Sequence, residues 1–186
     1  MLRTRWLLIG LGALLAFSPA AVTPAGAGTV HVWRVGTWKG IPGQFTSIQD
    51  AVNHAKPGDW VLVAPGDYHE KGSNDPRHPS GVLINVPGLW LRGMDRNGVI
   101  VDGTLPGAPT ACSPLPAFQD LGPLDSNGVP AGRSGVVATA SDVWIENLTA
   151  CNFLTGSSFR SGNQIWWNGG DGSGKIGIHE WWGDYI

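Results

Sequence analysis

The chain has 186 residues, room for one ordinary domain, with 28 glycines, 14 prolines and 10 tryptophans but only 14% charged residues. Its 12 basic and 14 acidic residues give a net charge of −2 and form no basic stripe, which argues against nucleic acid and for a neutral or weakly charged partner. So much glycine and proline, with apolar residues in short bursts, predicts many tight turns joining short strands.

The first 27 residues read as a cleavable secretory signal. Arg3 and Arg5 form its positive start, Trp6 to Phe17 its apolar core, and Ala25-Gly26-Ala27 its small-residue cleavage site. The apolar run is too short to span a bilayer, so no membrane contact is expected after cleavage. Cleavage leaves 10 basic against 14 acidic residues, a charge of about −4, and implies a secreted, extracellular protein. In that compartment the even cysteine count predicts a disulfide between Cys112 and Cys151, with two free buried thiols as the alternative.

Residues 28–186 read as one domain. "TVHVWRV" (29–35) alternates well enough for a first strand. "FTSIQDAVNHA" (45–55) carries the helical pattern of the mature chain, with Ile48, Ala51, Val52 and Ala55 on one face. Thr46 and Gln49 have capping-box spacing, and Pro57-Gly58 provides the stop. Beyond it come eight bursts of strand formers bounded by Gly, Pro, Asn or Asp, from "DWVLVAPG" to "KIGIHEWWGDYI". Asn97-Gly98 is the one good type I′ hairpin dipeptide between apolar runs. "GVLINVPGLWLRGMDRN" (81–97) echoes "GVVATASDVWIENLTACN" (135–152), with Trp90 aligned on Trp144. Removing a Pro- and Gly-rich insertion, 104–133, leaves a period in the low twenties. That period predicts an all-β solenoid, a parallel β-helix in which short strands stack coil upon coil, with the helix plugging its exposed first coil.

The segment "FTSIQDAVNHAKPGDWVLVAPGDYHE", followed by "GVLINVPGLWLRG" and "VIVDGT", resembles the start of right-handed parallel β-helix proteins of the pectate-lyase-like superfamily. In that family the matched positions Ile48, Gln49, Ala51, Val52, Gly58, Asp59, Gly66, Tyr68 and Glu70 belong to the scaffold of the cap and first coil. "VWIENLT" is similar to its repeat unit and implies Asn147 at a turn where asparagines ladder, a reading preferred to the glycosylation acceptor that Asn147-Leu148-Thr149 also spells. The resemblance implies a polysaccharide or cell-wall glycan as partner and leaves the chemistry open among lyase, hydrolase, esterase, epimerase and non-catalytic binding modules.

No complete active site is visible. Asp102, Glu146, Asp171, Glu180 and Asp184 stand near strand ends. Calcium, which lyase members of the family use, would need several of their oxygens to converge; they read instead as corner residues, so no cofactor is expected, with calcium as the alternative. Gln119 and Asp120 are residue types that esterase members use, but they fall in the insertion. "YHEKGSNDPRHP", with His69, Glu70, Asp75 and His78, reads as a polar surface loop rather than a metal site. His179 and Glu180 adjoin a tryptophan pair but alternate across a strand, so no catalytic role follows. The candidate substrate-binding residues are the pairs Trp166-Trp167 and Trp181-Trp182, with Asp171 between them. On a strand one indole of each pair faces outward, where it can stack on a sugar ring; packing within the solenoid wall is the alternative. The chain stops at "WGDYI" without a closing cap, so further coils are expected beyond residue 186; the completed β-helix is expected to be a monomer.

Overall fold

The computed structural model describes residues 29–76, 78–156 and 161–167. The expected signal segment, Asp171, Trp181, Trp182, the His179-Glu180 pair and Asp184 lie outside the described residues. Among the described residues the fold is mostly β, with a single α-helix. The chain opens with β1 (Val32–Val35), a hairpin of β2 (Thr37–Trp38) and β3 (Ile41–Pro42), and α1 (Ile48–His54). Then follow β4 (Trp60–Val63), β5 (Gly66–Tyr68), β6 (Ser80–Ile84), β7 (Trp90–Gly93), β8 (Val99–Asp102), β9 (Ser134–Ala138), β10 (Trp144–Glu146), β11 (Thr149–Cys151) and β12 (Ile165–Trp167).

These strands form three parallel sheets, in the orders β1-β4-β7-β10, β5-β8-β11 and β6-β9-β12. From β4 onward the chain therefore visits the three sheets in the same order three times. Parallel neighbours must belong to different rounds, because a parallel pair needs a long crossover between its strands. Trp60 pairs with Trp90, and Trp90 with Trp144. From 60 to 90 is 30 residues and from 90 to 144 is 54. The first interval exceeds the low twenties because residues 69–79 form a loop, the second because of the insertion.

Strands this short form because their inward residues stack on like residues of the neighbouring round. Val61, Leu91 and Ile145 make one inward column of the first sheet. Val99 and Val101 supply the second sheet, and Val82, Ile84, Val136 and Ala138 the third. All belong to one buried cluster with Ile48 and Val52 of α1. Each fully buried Val or Ile contributes roughly 1.5–3 kcal/mol of transfer free energy. At the corners, Asn147 and Asn152 take left-handed backbone, φ 55° each, which asparagine tolerates better than most residues. Among the described residues Asn147 ladders with no other asparagine: its Nδ2 donates to the Gly93 carbonyl of the neighbouring round at 2.7 Å.

Two local expectations are corrected. The helix is capped by Ser47, whose Oγ accepts from the Asp50 N–H at 3.2 Å. Thr46 is not the cap, because Gln49 is needed elsewhere. Its Oε1 accepts from the Leu83 N–H (2.7 Å) and its Nε2 donates to the Leu83 carbonyl (3.1 Å), so its amide satisfies the open edge of β6 as a further strand would. The hairpin turn lies at Lys39-Gly40, φ 50° and 79°, the left-handed pair that a two-residue connection requires. At Asn97-Gly98 the Asp95 side chain and carbonyl accept from the Asn97 and Gly98 N–H groups, making a corner between sheets.

The insertion between β8 and β9 is pinned at three points. The Cys112–Cys151 disulfide closes a loop with a sequence separation of 39, worth about 4 kcal/mol of chain entropy. Buried Asp102 accepts from the Thr104 (2.9 Å) and Cys112 (2.6 Å) N–H groups. The buried Arg133 guanidinium donates to Asp120 at 3.3 Å, to the carbonyls of Ser73 and Ser80, and to Asn74. Asp120 and Gln119, the latter donating to the Ser113 and Leu115 carbonyls, are thus engaged in holding the insertion.

Candidate functional site

The inward columns are filled, so chemistry must come from outward positions. On the first sheet these are every second residue of β4, β7 and β10. Their register aligns Trp60, Trp90 and Trp144 in one column and Leu62, Arg92 and Glu146 in the next. The three indoles stack with ring centroids 4.5 and 4.6 Å apart and planes within 15°. Stacking on both neighbours occupies the faces of Trp90, which can offer only its edge to a ligand. Trp144 is 43% exposed, and among the described residues no ring stacks on its second face.

Beside Trp144, at the corner joining the first and second sheets, lies a cleft of about 510 Å³ lined by Arg92, Arg96, Asn97 and residues 146–149. Glu146 and Trp144 alternate on β10, so their side chains leave the same face roughly 6.6 Å apart. Glu146 accepts from Arg92 Nη1 at 2.7 Å, an exposed ion pair that sets both head groups over the cleft. Thr149 Oγ1 donates to the Arg96 carbonyl at 2.7 Å and ties the floor to the preceding round. Gly93 lies beneath this corner, where a Cβ would fall on the Asn147 carbonyl, so the close approach of the two rounds needs glycine.

The cleft offers guanidinium, carboxylate, amide and hydroxyl groups beside an indole face, a set suited to holding hydroxyl-rich chains. Carboxylate-pair hydrolysis requires a second carboxylate roughly 5–10 Å away, and among the described residues Glu146 is the only carboxylate lining the cleft. Of the expected aromatic residues, Trp166 and Trp167 are described, and both are half-buried. Trp167 pairs with inward Ala138, whereas Trp166 pairs with Val137 in the outward column of the third sheet. The structure therefore sets Trp166 on a different sheet from the cleft and gives Trp167 a core-directed register. Sequence reasoning aligned Trp90 on Trp144 but did not extend the column to Trp60 or place it at the site, although each indole opens its strand just after a Gly, Pro or Asp turn.

Two buried carboxylates, Glu70 and Asp59, are structural. Glu70 is buried and caps α1: its carboxylate accepts from the Ile48 N–H (2.6 Å), the Gln49 N–H (3.2 Å) and Ser47 Oγ (2.9 Å). It is not part of a polar surface loop, because the helix start needs an acceptor for its free N–H groups. Asp59 accepts from the His31 and Lys56 N–H groups and the Trp33 indole, each at 2.9 Å. Burial pushes its carboxyl up, but these donors and nearby His31 outweigh burial and hold it below the usual aspartate value. Among the described residues no helix is long and apolar enough to cross a membrane. The chain matches no protein-family model, no curated protein and no solved structure.

Proposed function

We propose that this chain is a secreted right-handed parallel β-helix that binds an extracellular polysaccharide, without cleaving it, at the corner of its first and second sheets. The solenoid reading is supported by three rounds through three parallel sheets in constant order. The right-handed sense is the one parallel crossovers overwhelmingly take. The observation that carries the function is the pairing of the Trp144 face on which no described ring stacks with the adjoining cleft. A sugar ring stacks its apolar face on the indole. Its hydroxyls meet Arg92, Arg96, Asn97 and Glu146. Among the described residues a single carboxylate lines the cleft, and it is held by an arginine, which favours binding over glycosidic hydrolysis.

Affinity electrophoresis in gels containing pectin, alginate or neutral cell-wall glycans tests this. At least one polymer should retard the protein, Trp144→Ala should abolish the retardation, and Trp38→Ala, on the distant hairpin, should leave it unchanged. No new reducing or unsaturated ends should form. Retardation that survives Trp144→Ala, failure with every polymer, or turnover of the polymer would each overturn the reading.

A further inference from the structure

A second group of functional side chains lies on the outward side of the second sheet, away from the Trp144 corner. Asp67 sits in the middle of β5, His69 directly follows that strand, and Asp102 ends β8, the neighbouring strand. One ligand atom from each lies within 4.8 Å of the others.

The hydrogen bonds fix the chemistry of these atoms. His69 Nδ1 lies 2.7 Å from the Thr104 carbonyl. A carbonyl only accepts, so Nδ1 carries the proton and Nε2 of the neutral ring presents a lone pair. That Nε2 faces Asp67 Oδ2 at 3.5 Å, beyond the 2.7–3.2 Å of an N–H···O bond. Asp102 accepts the Thr104 N–H with one oxygen and the Cys112 N–H with the other. Three electron-pair donors therefore converge and need positive charge among them. Bonds of about 2.1 Å in a tetrahedral site put neighbouring ligands roughly 3.4 Å apart, close to the 3.5 Å between His69 Nε2 and Asp67 Oδ2. An imidazole whose other nitrogen donates to a backbone carbonyl is the arrangement that orients metal-binding histidines. Thr104, 3% exposed, supplies that carbonyl and donates its own N–H to Asp102, and its hydroxyl has no partner among the described residues. Asp67, 38% exposed at its side chain, leaves a path for entry.

We propose that Asp67, His69 and Asp102 bind a divalent transition-metal ion of the zinc class, which ties β5 to the root of the insertion. One imidazole with two carboxylates suits such an ion better than calcium, which takes six to eight oxygens. The sulfurs of Cys112 and Cys151, also close to Asp102, are consumed by their disulfide and add no thiolate.

The full chain, stripped with a chelator, is titrated with Zn²⁺ by calorimetry. One ion should bind per chain and raise the thermal midpoint. Asp67→Asn and His69→Gln, chosen because neither side chain is fully buried, should keep the apo midpoint and weaken binding at least about tenfold. His31→Ala, at the other His–Asp contact, should bind like the parent. No binding, or variants binding as tightly as the parent, would overturn the site. So would nitrogen NMR showing both His69 ring nitrogens protonated near neutral pH and unmoved by Zn²⁺, because a proton would then supply the missing charge.

Discussion

Glu70 offers the sharpest test of how the fold begins. Its carboxylate takes the Ile48 and Gln49 N–H groups and the Ser47 hydroxyl. Glu70→Ala leaves two buried donors at the first turn of α1 with no acceptor. A hydrogen bond to a charged group is worth about 1.5–3 kcal/mol, and the 3.2 Å bond to Gln49 counts at the low end. The expected loss is therefore about 3 kcal/mol, or roughly 6–12 °C in Tm for a chain of this length. Glu70→Gln keeps one acceptor oxygen and should lose about half as much. Ser47→Ala should cost about 1 kcal/mol as a lost cap. Because Ser47 donates to Glu70, the double variant should depart from additivity by at least about 0.5 kcal/mol. Thermal and urea denaturation followed by circular dichroism give the energies, and hydrogen exchange at Ile48 and Gln49 shows whether loss starts there. A Glu70→Ala variant within about 0.5 kcal/mol of the parent, or strict additivity with Ser47→Ala, would refute the reasoning.

Two further outcomes follow from the same geometry. Asp59 is held below its ordinary value in the folded state, so its contribution is present above the unfolded pKa and lost as the pH falls toward the folded one. Urea unfolding between about pH 5 and pH 3 should show a steeper loss for the parent than for Asp59→Asn; equal slopes would contradict the assignment. Trp90 stacks on two indoles and Trp144 on one, at about 0.5–1.5 kcal/mol per pair beyond area burial. Trp90→Ala should therefore destabilise more than Trp144→Ala in equilibrium unfolding, and the reverse order would show that the column is not energetically coupled.

The strands of the first and third sheets were legible in the sequence because their apolar residues face a core and are cut off by Pro, Gly or Asp. β5 was not: Gly66-Asp67-Tyr68 reads as a turn, and only its parallel partners Val99–Val101 make it a strand. The Lys39-Gly40 hairpin escaped because its strands are two residues each, too short for any period. The helix was legible from its buried face, but not its cap: Thr46-Gln49 and Ser47-Asp50 have the same spacing, and what decides between them is Gln49's role at Leu83, a distant contact. The site was the least legible part. Arg92 and Glu146 meet across 54 residues of chain, and Trp60, Trp90 and Trp144 recur at unequal intervals because the intervening loops differ in length. Unequal loops hide a periodicity that register restores.

At the start of the stacked strands, β5 and β6 lack a preceding strand in their sheets, and exposed ladder groups invite pairing with other chains. Three polar side chains deal with this end of the fold. Gln49 satisfies both backbone groups of Leu83, Glu70 satisfies the start of the helix laid over the opening, and Asp59 ties β1 and the helix end to the turn before β4. All three are buried, and each stabilises only because its partners are in place. α1 thus joins the apolar core through Ile48, Ala51 and Val52 and is fixed there by a coupled polar unit. Residues free to evolve toward a ligand must then come from the outward columns and corners, which is where Trp144, the Arg92–Glu146 pair and the Asp67–His69–Asp102 group are found.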